Sequence, residues 1–299
     1  MINYASLCSG IEAASQAFEP LGWKPVFFAE IEKFPSDVLK YHYPNIPNLG
    51  DITQIYDKQI FKDASIDLLV AGTPCQSFSL CGLRKGFNDR RGNLTLEFLR
   101  ITEIKKPKWI IWENVASFTS SNKGRDFGVF LNSLGKFGYG WSYRILDAQY
   151  FGVAQTRRRI FVVGHIGNDW RPAYQILFNE QNSQGNLTKA ENQEENFQSI
   201  ARDSSSIGEI SKPRRIASTI KAGYYKCYND AENINNLIVD ERGIRRLTPL
   251  EIERLMGFPD GYTNIPKASD SKRYKSLGNS MVVPVMKWIG ERIQKYEME

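Results

Sequence analysis

Residues 66–79 read IDLLVAGTPCQSFS, an apolar run that meets a Gly-Thr-Pro turn carrying a cysteine. A continuous apolar run bounded by such a turn is typical of a strand buried on both faces of a parallel sheet. An unpaired cysteine is most often a small apolar side chain in a core. Cys75, however, follows the end of the strand, where α/β sheets bind their ligands. It is therefore a candidate nucleophile as well as a candidate core residue.

The same pattern recurs through the first 167 residues. Further apolar, β-branched runs lie at 25–31 (PVFFAEI), 109–115 (WIIWENV) and 159–166 (RIFVVGHI). Helical periodicity separates the runs. These continuous apolar runs predict an α/β fold with a doubly wound, mostly parallel sheet.

Two of the intervening helices are predicted at 94–106 and 125–137. In the first, we expect Leu96, Leu99 and Ile104 to lie near one apolar face. Such helices would cover the two faces of the sheet.

Composition divides the chain into three parts. Residues 1–168 carry the strand-and-helix pattern of a large domain. Residues 169–243 include a segment almost free of large apolar residues, 179–199, and a basic stretch, and are predicted to form a linker and a small lobe. Residues 244–299 are predicted to return to the large domain as helices.

Helix signals are clear in this last part. Thr248, Pro249 and Glu251 predict a helix start with a capping box. A final helix over about 281–297 has a broad apolar side that needs a core to cover. That side comprises Val282, Val285, Met286, Ile289 and Ile293.

The charge distribution favours a polyanionic partner. The net charge is +6 and the isoelectric point is near 9.0. Residues 212–226 carry five basic side chains and no acidic one, and residues 84–91 carry four basic side chains against one acidic. Either run alone is more simply explained as a solvated surface.

Other classes of protein are disfavoured. The four cysteines and two histidines show no Cys-x-x-Cys or His-x-x-x-His spacing, which argues against a metal site and a disulfide scaffold. No run approaches the roughly 18 apolar residues of a membrane span. The start of the chain lacks the basic region of a signal peptide, so we expect a cytoplasmic protein.

A turn and an acidic residue indicate a nucleoside site. Ser9-Gly10-Ile11 follows a first short strand, and Glu30 ends the next strand twenty residues after Gly10. This spacing is typical of a carboxylate that binds ribose hydroxyls, although a structural glycine turn is the more common explanation. CSGIEA is not Gly-x-Gly-x-x-Gly, which favours a nucleoside without a diphosphate.

Acid and cation candidates lie at other strand ends. Burial of Glu113 beside Trp112 and Val115 would raise its pKa and suit a general acid, although a lone Glu is more often a cap or ion-pair partner. Gln155, Arg157 and Arg159 alternate in QTRRRIFVVG and are expected on one face, while Arg158 is expected to face solvent. These arginines could lower the pKa of Cys75, hold a base edge or clamp phosphate.

An ordered set of motifs resembles the DNA (cytosine-5)-methyltransferase family, and small phage- or prophage-type members in particular. The set covers about 1–167 and 244–299 and comprises CSGIEAA, FAEI, GDIT, GTPCQSFS, RRGNL, WENV, QTRRR, RRLTPLEIERLMGFPDGY and LGNSMVVP. The family's first motif is closer to Phe-x-Gly-x-Gly-Gly, so Cys8, Glu12 and Ala13 depart from it.

The resemblance implies a Rossmann-like, S-adenosylmethionine-dependent fold, with 1–168 as the catalytic and cofactor-binding domain and 169–243 as the target-recognition lobe and its linker. It implies that Cys75 attacks C6 of a cytosine flipped out of double-stranded DNA. Glu113 would engage N3 and the exocyclic amine. Arg159 would hold O2 of the ring, supported by Arg157 and Gln155.

The resemblance also implies binding residues. The cofactor pocket would comprise Ser9, Gly10, Ile11, Glu30, Ile31, Asp51, Ile52, Gly72, Pro74, Leu94, Asn279 and Ser280. DNA contacts would come from Gln76, Ser79, Arg84, Lys85, Arg90, Arg214, Arg215, Thr219 and Lys221. Thr219-Ile220 is the nearest match to the Thr-Leu pair of the family's recognition lobe.

Two alternatives to a DNA methyltransferase stay open: a tRNA cytosine-5 methyltransferase and a DNA-binding relative without catalysis. The resemblance predicts a monomer, in a prokaryotic or phage-infected cell, with a cognate restriction enzyme as a candidate partner. A nicotinamide dehydrogenase would explain the first turn and Glu30, but not Pro-Cys-Gln and the basic lobe.

Overall fold

The computed structural model describes residues 1–74, 94–178, 217–224, 236–240 and 243–299. Some of the predicted site residues lie outside these ranges, namely Cys75, Gln76, Ser79, Arg84, Lys85, Arg90, Arg214 and Arg215.

A six-stranded sheet in the order β2-β1-β3-β4-β6-β5 forms the centre of the molecule. Its strands are β1 (Asn3–Leu7), β2 (Lys24–Ala29), β3 (Leu68–Gly72), β4 (Trp109–Val115), β5 (Tyr139–Asp147) and β6 (Arg158–Ile166). β1 pairs in parallel with β2 and β3, and β3 with β4, whereas β6 is antiparallel to both β4 and β5. The predicted α/β fold with a mostly parallel sheet is confirmed.

The strand order reverses between β1 and β3. The chain moves from β1 to β2 on one side and then to β3 and β4 on the other. A crevice therefore opens at the carboxyl ends of β1 and β3, which is where open α/β sheets bind ligands. The turn at Gly10 and the Thr73-Pro74 segment both lie at this edge.

The central strands read as continuous apolar runs because both of their faces are buried. In β3 and β4, Leu68, Val70 and Ile111 contribute to one hydrophobic core. Leu69 and Ile110 contribute to the core on the opposite face. Since successive side chains alternate across a strand, a strand between two cores must be apolar at every position.

β5 is not predictable from the sequence pattern, for a physical reason. β5 lies at the edge of the sheet, and Tyr143 and Ile145 remain 43% and 38% exposed. A partly covered edge strand does not need a continuous apolar run, so Tyr139–Asp147 shows no such signal.

Helices cover both faces of the sheet. They are α1 (Ala13–Phe18), α2 (Lys33–His42), α3 (Gln59–Asp63), α4 (Leu94–Lys105), α5 (Arg125–Lys136), α6 (Arg171–Phe178), α7 (Pro249–Met256), α8 (Asp270–Asn279) and α9 (Val283–Met298). None of the helices in the described ranges is both long and apolar enough to cross a membrane.

The predicted apolar face of α4 is confirmed for Leu99, which is buried, and for Leu96, which packs partly buried against the same core, but it is wrong for Ile104. The buried face consists of Thr95, Phe98, Leu99 and Thr102 together with Ile101, whereas Ile104 is 51% exposed. Residues 95, 98, 99 and 102 follow the i, i+3, i+4, i+7 spacing of one helix face, and two of the four are threonines. Because threonine is not a large apolar residue, the spacing of the large apolar residues alone does not predict this face.

The helices of the last part agree with prediction. Thr248 and Glu251 form the capping box at the start of α7, with Pro249 at the first helical position. In α9, Val285, Met286 and Ile289 are buried against the core that also contains α1. The C-terminal segment therefore completes one face of the sheet.

Residues 169–243 do not all lie apart from the sheet. Ala173, Ile176 and Leu177 of α6 belong to the main core. Ala217 exchanges backbone hydrogen bonds with Ala154 and Thr156, while a two-stranded ribbon forms from β7 (Leu237–Asp240) and β8 (Gly243–Arg246). The division of the chain at 168 and 243 stays a prediction.

Candidate active site

The carboxylate of Glu113 and the guanidinium of Arg159 meet at the end of β4. Arg159 lies opposite Val115 in the antiparallel β4–β6 pair, and its Nε is 3.3 Å from Oε1 of Glu113. Burial raises the pKa of Glu113, while the charges of Arg159 and Arg157 oppose the rise. Glu113 therefore holds a proton more firmly than an ordinary glutamate, as a general acid must.

A cavity of ≈ 680 Å³ opens beside this pair, within the size range of small-ligand sites. Its walls come from three parts of the chain: Val115 and Arg159 from the sheet with Thr156 from the segment before β6, Ser218, Thr219, Lys221 and Ala222 from the lobe, and Gly278 and Asn279 from the end of α8. The fold thus brings together four residues predicted separately from the sequence, namely Arg159, Thr219, Lys221 and Asn279.

Arg157 holds two of these walls together. Its buried guanidinium donates to the carbonyls of Ile220 (3.0 Å), Gly278 (3.1 Å) and Ser280 (2.8 Å). Burial lowers its pKa to about 9, which leaves it charged at neutral pH. Because Nη1 and Nη2 bind these carbonyls, Arg157 acts as a clamp between the lobe and α8.

Gln155 has a related role. Its Nε2 donates to the carbonyl of Leu255, and its Oε1 accepts the backbone N–H of Ile220. Gln155 and Arg157 are buried, whereas Arg158 is exposed as expected. Of the alternating series, Arg159 is the residue beside Glu113; the other two bind backbone.

The segment that leads to Cys75 is fixed by β4. Nδ2 of Asn114 donates to the carbonyl of Thr73 (2.9 Å), and the indole N–H of Trp112 donates to Oγ1 of Thr73 (3.0 Å). Asn114 and Thr73 are almost fully buried. The residue two positions before Cys75 is therefore held by the same strand that carries Glu113.

The turn at Gly10 closes on Glu30. The backbone N–H of Gly10 donates to Oε2 of Glu30 (2.8 Å), and that of Glu32 donates to Oε1 (2.7 Å). Gly10 has φ +57°, a left-handed conformation that glycine adopts without strain. Burial raises the pKa of Glu30, and its backbone hydrogen bonds oppose the rise.

The remaining cofactor predictions lie in different surroundings. Ile31 is 72% exposed beside Glu30, and Asp51 accepts the backbone N–H and hydroxyl of Thr53 through Oδ1. Ile11 and Ile52, by contrast, have buried side chains, one in each of the two cores. These side chains anchor the adjacent turns to the cores.

Further residues predicted to bind the cofactor lie at the ends of strands and helices. Ser9 donates to the carbonyl of Ser6, Gly72 ends β3, and Leu94 begins α4. Pro74 and Asn279 are exposed, whereas Ser280 is buried.

Comparison with known families agrees with this geometry. A family described as C-5 cytosine-specific DNA methylase matches residues 2–203 and 168–295. The chain belongs to the C-5 cytosine-specific DNA methylase family.

Several proteins are similar to this methylase. Type II methyltransferase M.NlaX of Neisseria lactamica is 32% identical, over 93% of this chain and 90% of that protein. The DNA N-6-adenine-methyltransferase of Escherichia phage P1 is also 32% identical, over 98% of this chain; the chain spans 61% of the length of that relative. A mutant DNMT2 of Spodoptera frugiperda shares the fold, with a TM-score of 0.73 at 18% identity over 98% of this chain and 99% of that one.

Two residues of this methylase's site, Thr73 and Asn114, were not among the residues predicted from the sequence. Both are small polar residues in or beside otherwise apolar strands, and that exception was the available signal. Family members use S-adenosylmethionine as methyl donor and act on DNA.

Proposed function

We propose that this methylase transfers a methyl group from S-adenosylmethionine to C5 of a cytosine flipped out of double-stranded DNA. The observation that carries the proposal is the Glu113–Arg159 ion pair, because Arg159 also lines a cavity large enough for a base. A carboxyl group and a guanidinium 3.3 Å apart match the N3, exocyclic amine and O2 edge of cytosine.

The chemical step requires attack on an electron-poor ring. In the proposal, the thiolate of Cys75 adds to C6 and forms a C–S bond, while Glu113 donates its proton to N3 and becomes a carboxylate. The ring is then a neutral enamine whose electron pair is available at C5. Arg159 holds O2. After methyl transfer, the N3 proton returns to Glu113 and the C5 proton passes to a water molecule. The C5–C6 double bond then re-forms as the C–S bond breaks and the thiolate leaves. Glu113 suits this role because its raised pKa favours the protonated form.

S-adenosylmethionine supplies the electrophilic methyl group when it is bound. The residues at the switch point fit its nucleoside portion: the carboxylate of Glu30 suits ribose hydroxyls, exposed Ile31 suits an apolar ring face, and Asp51 suits an amine donor. Asn279 and Ser280 lie at the end of α8, where the clamp of Arg157 fixes the backbone. These assignments follow from donor chemistry and from placement at one edge of the sheet.

Base flipping costs a few kcal/mol of stacking and pairing, which contacts to DNA must offset. Lys221 and Thr219 line the cavity on the lobe side, and Oγ1 of Thr219 donates to the carbonyl of Thr156. We assign DNA contacts to these two residues and to the basic run 212–226. We also propose that the protein acts as a monomer and that its partner is a cognate restriction enzyme.

Expression in a methylation-free host, followed by base-resolution mapping of 5-methylcytosine, tests the function. We expect methylation at one sequence context from the wild-type protein and none from Cys75→Ala. The same assay on host tRNA distinguishes the RNA alternative. If Cys75 forms no adduct with 5-fluorocytosine DNA in the presence of cofactor and the host DNA stays unmethylated, the result supports the alternative of a DNA-binding relative without catalysis.

A further inference from the structure

One contact at the active site involves a residue that the proposed mechanism does not use. A methyl group built on Gly72 would lie 2.8 Å from Cε of Met281 and 3.5 Å from Oε2 of Glu113. Gly72 and Glu113 are direct neighbours across the β3–β4 pair. The end of the Met281 side chain therefore occupies the space over Gly72, beside the carboxyl group of Glu113.

The backbone on both sides of Met281 is held in place. Nη2 of Arg157 donates to the carbonyls of Gly278 and Ser280, and Ser280 Oγ donates to the carbonyl of Met281. After Met281, Val282 is 3% exposed in the main core. The position of the thioether thus follows from the clamp on one side and from core packing on the other.

The charged groups that face Glu113 within the described ranges are both cations. Arg159 lies 3.3 Å away, and Arg157 acts over a longer distance; both favour the ionised carboxylate. Burial has the larger and opposite effect. The apolar atoms that exclude water from Glu113 therefore decide its protonation against two nearby positive charges.

We propose that Met281 is a positioning residue for Glu113: its thioether, held over Gly72, keeps water away from the carboxyl group. The proposal rests on the proposed function, in which Glu113 is the proton donor. It also accounts for Gly72, since any larger residue there would displace the Met281 methyl group.

The pH dependence of single-turnover methylation tests this role. Water that enters beside Glu113 in Met281→Ala should stabilise the carboxylate, so the rate should begin to fall at a pH about one unit lower than in the wild type. Met281→Leu should restore the wild-type profile because it returns apolar volume. Val282→Ala is the matched control: it removes apolar atoms one residue away and should leave the profile in place.

A second-site change makes the test sharper. In the Met281→Ala background, Gly72→Ala places a methyl group close to where the Met281 Cε lies, 3.5 Å from Oε2 of Glu113. The double variant should move the pH profile back toward that of the wild type. If Met281→Ala keeps the wild-type profile, or if Val282→Ala shifts it equally, the proposal is wrong.

A readout without turnover separates this inference from the proposed function. The ¹³C carboxyl resonance of Glu113, assigned by its loss in Glu113→Gln, can be titrated in protein labelled at the glutamate side-chain carboxyl. A lower pKa in Met281→Ala supports the role of Met281 even if no DNA is methylated. An equal pKa in both proteins overturns it even if methylation proceeds.

Discussion

Replacement of Arg157 by methionine should weaken both the fold and the active site. The guanidinium of Arg157 is buried and donates to three carbonyls at 2.8–3.1 Å, one in the lobe and two at the end of α8. Methionine keeps much of the apolar volume and removes all three hydrogen bonds. The lobe and α8 would then lose the three hydrogen bonds through which Arg157 joins them beside the cavity.

The magnitude follows from two opposing contributions. Hydrogen bonds from a charged donor contribute about 1.5–3 kcal/mol each, so three bonds contribute roughly 4–9 kcal/mol. Burying the charge costs several kcal/mol, which methionine avoids. We expect a net loss of about 3 kcal/mol in the free energy of unfolding, and a Tm lower by about 5 °C.

Activity should fall further than stability alone explains. Gly278 and Asn279 line one wall of the cavity and Lys221 the other, so loss of the clamp misplaces both walls relative to Arg159. Misplacement by about 1 Å costs about 100-fold in rate. We expect such a loss in kcat/KM for DNA, measured well below the Tm of the variant.

Arg158→Met is the matched control, because Arg158 is the adjacent arginine and is exposed. It should change the free energy of unfolding by less than about 0.5 kcal/mol. Arg157→Lys retains the charge with a single donor group and should fall between the two. Equal unfolding free energies and equal kcat/KM values for Arg157→Met and Arg158→Met would refute the clamp.

Three further predictions concern other parts of the molecule. Burial raises the pKa of Glu12 from 4.5 to about 7. Between these two pH values the folded protein keeps a proton that the unfolded chain releases. The free energy of unfolding should therefore fall by about 3 kcal/mol as pH rises from about 4.5 to about 7. Glu12→Gln should flatten that dependence in urea titrations, and an unchanged slope would contradict the assignment. Thr248→Ala removes the capping box with Glu251 and should lower the free energy of unfolding by about 1 kcal/mol in the same titrations. An unchanged free energy of unfolding would show that α7 needs no cap. Asn114→Ala leaves the carbonyl of Thr73 without its Nδ2 donor, so it should lower the free energy of unfolding by about 1–3 kcal/mol and slow adduct formation at Cys75. Adduct kinetics equal to those of the wild type would show that Thr73 does not position Cys75.

Local sequence signals predicted most of the fold. The apolar runs at β3 and β4 and the Thr248–Glu251 capping box were readable because each depends on neighbours along the chain. The edge strand Tyr139–Asp147 was not readable, since only one of its edges pairs and its faces are partly exposed. The buried face of α4 is only partly predictable because two of its five buried residues are threonines.

The candidate site divides in the same way. Glu113 and Arg159 stood out because charged residues at the ends of apolar strands are rare, and the structure brings them within 3.3 Å. The different roles of Arg157 and Arg159 were not visible in QTRRR. Alternation along a strand predicts a shared face, but it does not say which groups from other segments lie opposite that face.

The sequence by itself determined the α/β class, the order of the motifs and the residues able to carry the chemistry, because these depend on residue type and on spacing along the chain. Tertiary structure alone decided that Arg157 binds three carbonyls, that Asn114 holds Thr73, and that Met281 covers Gly72 beside Glu113. Each of these contacts joins segments more than 40 residues apart. Their geometry depends on how β3, β4, β6 and α8 pack together, and no local pattern encodes that packing.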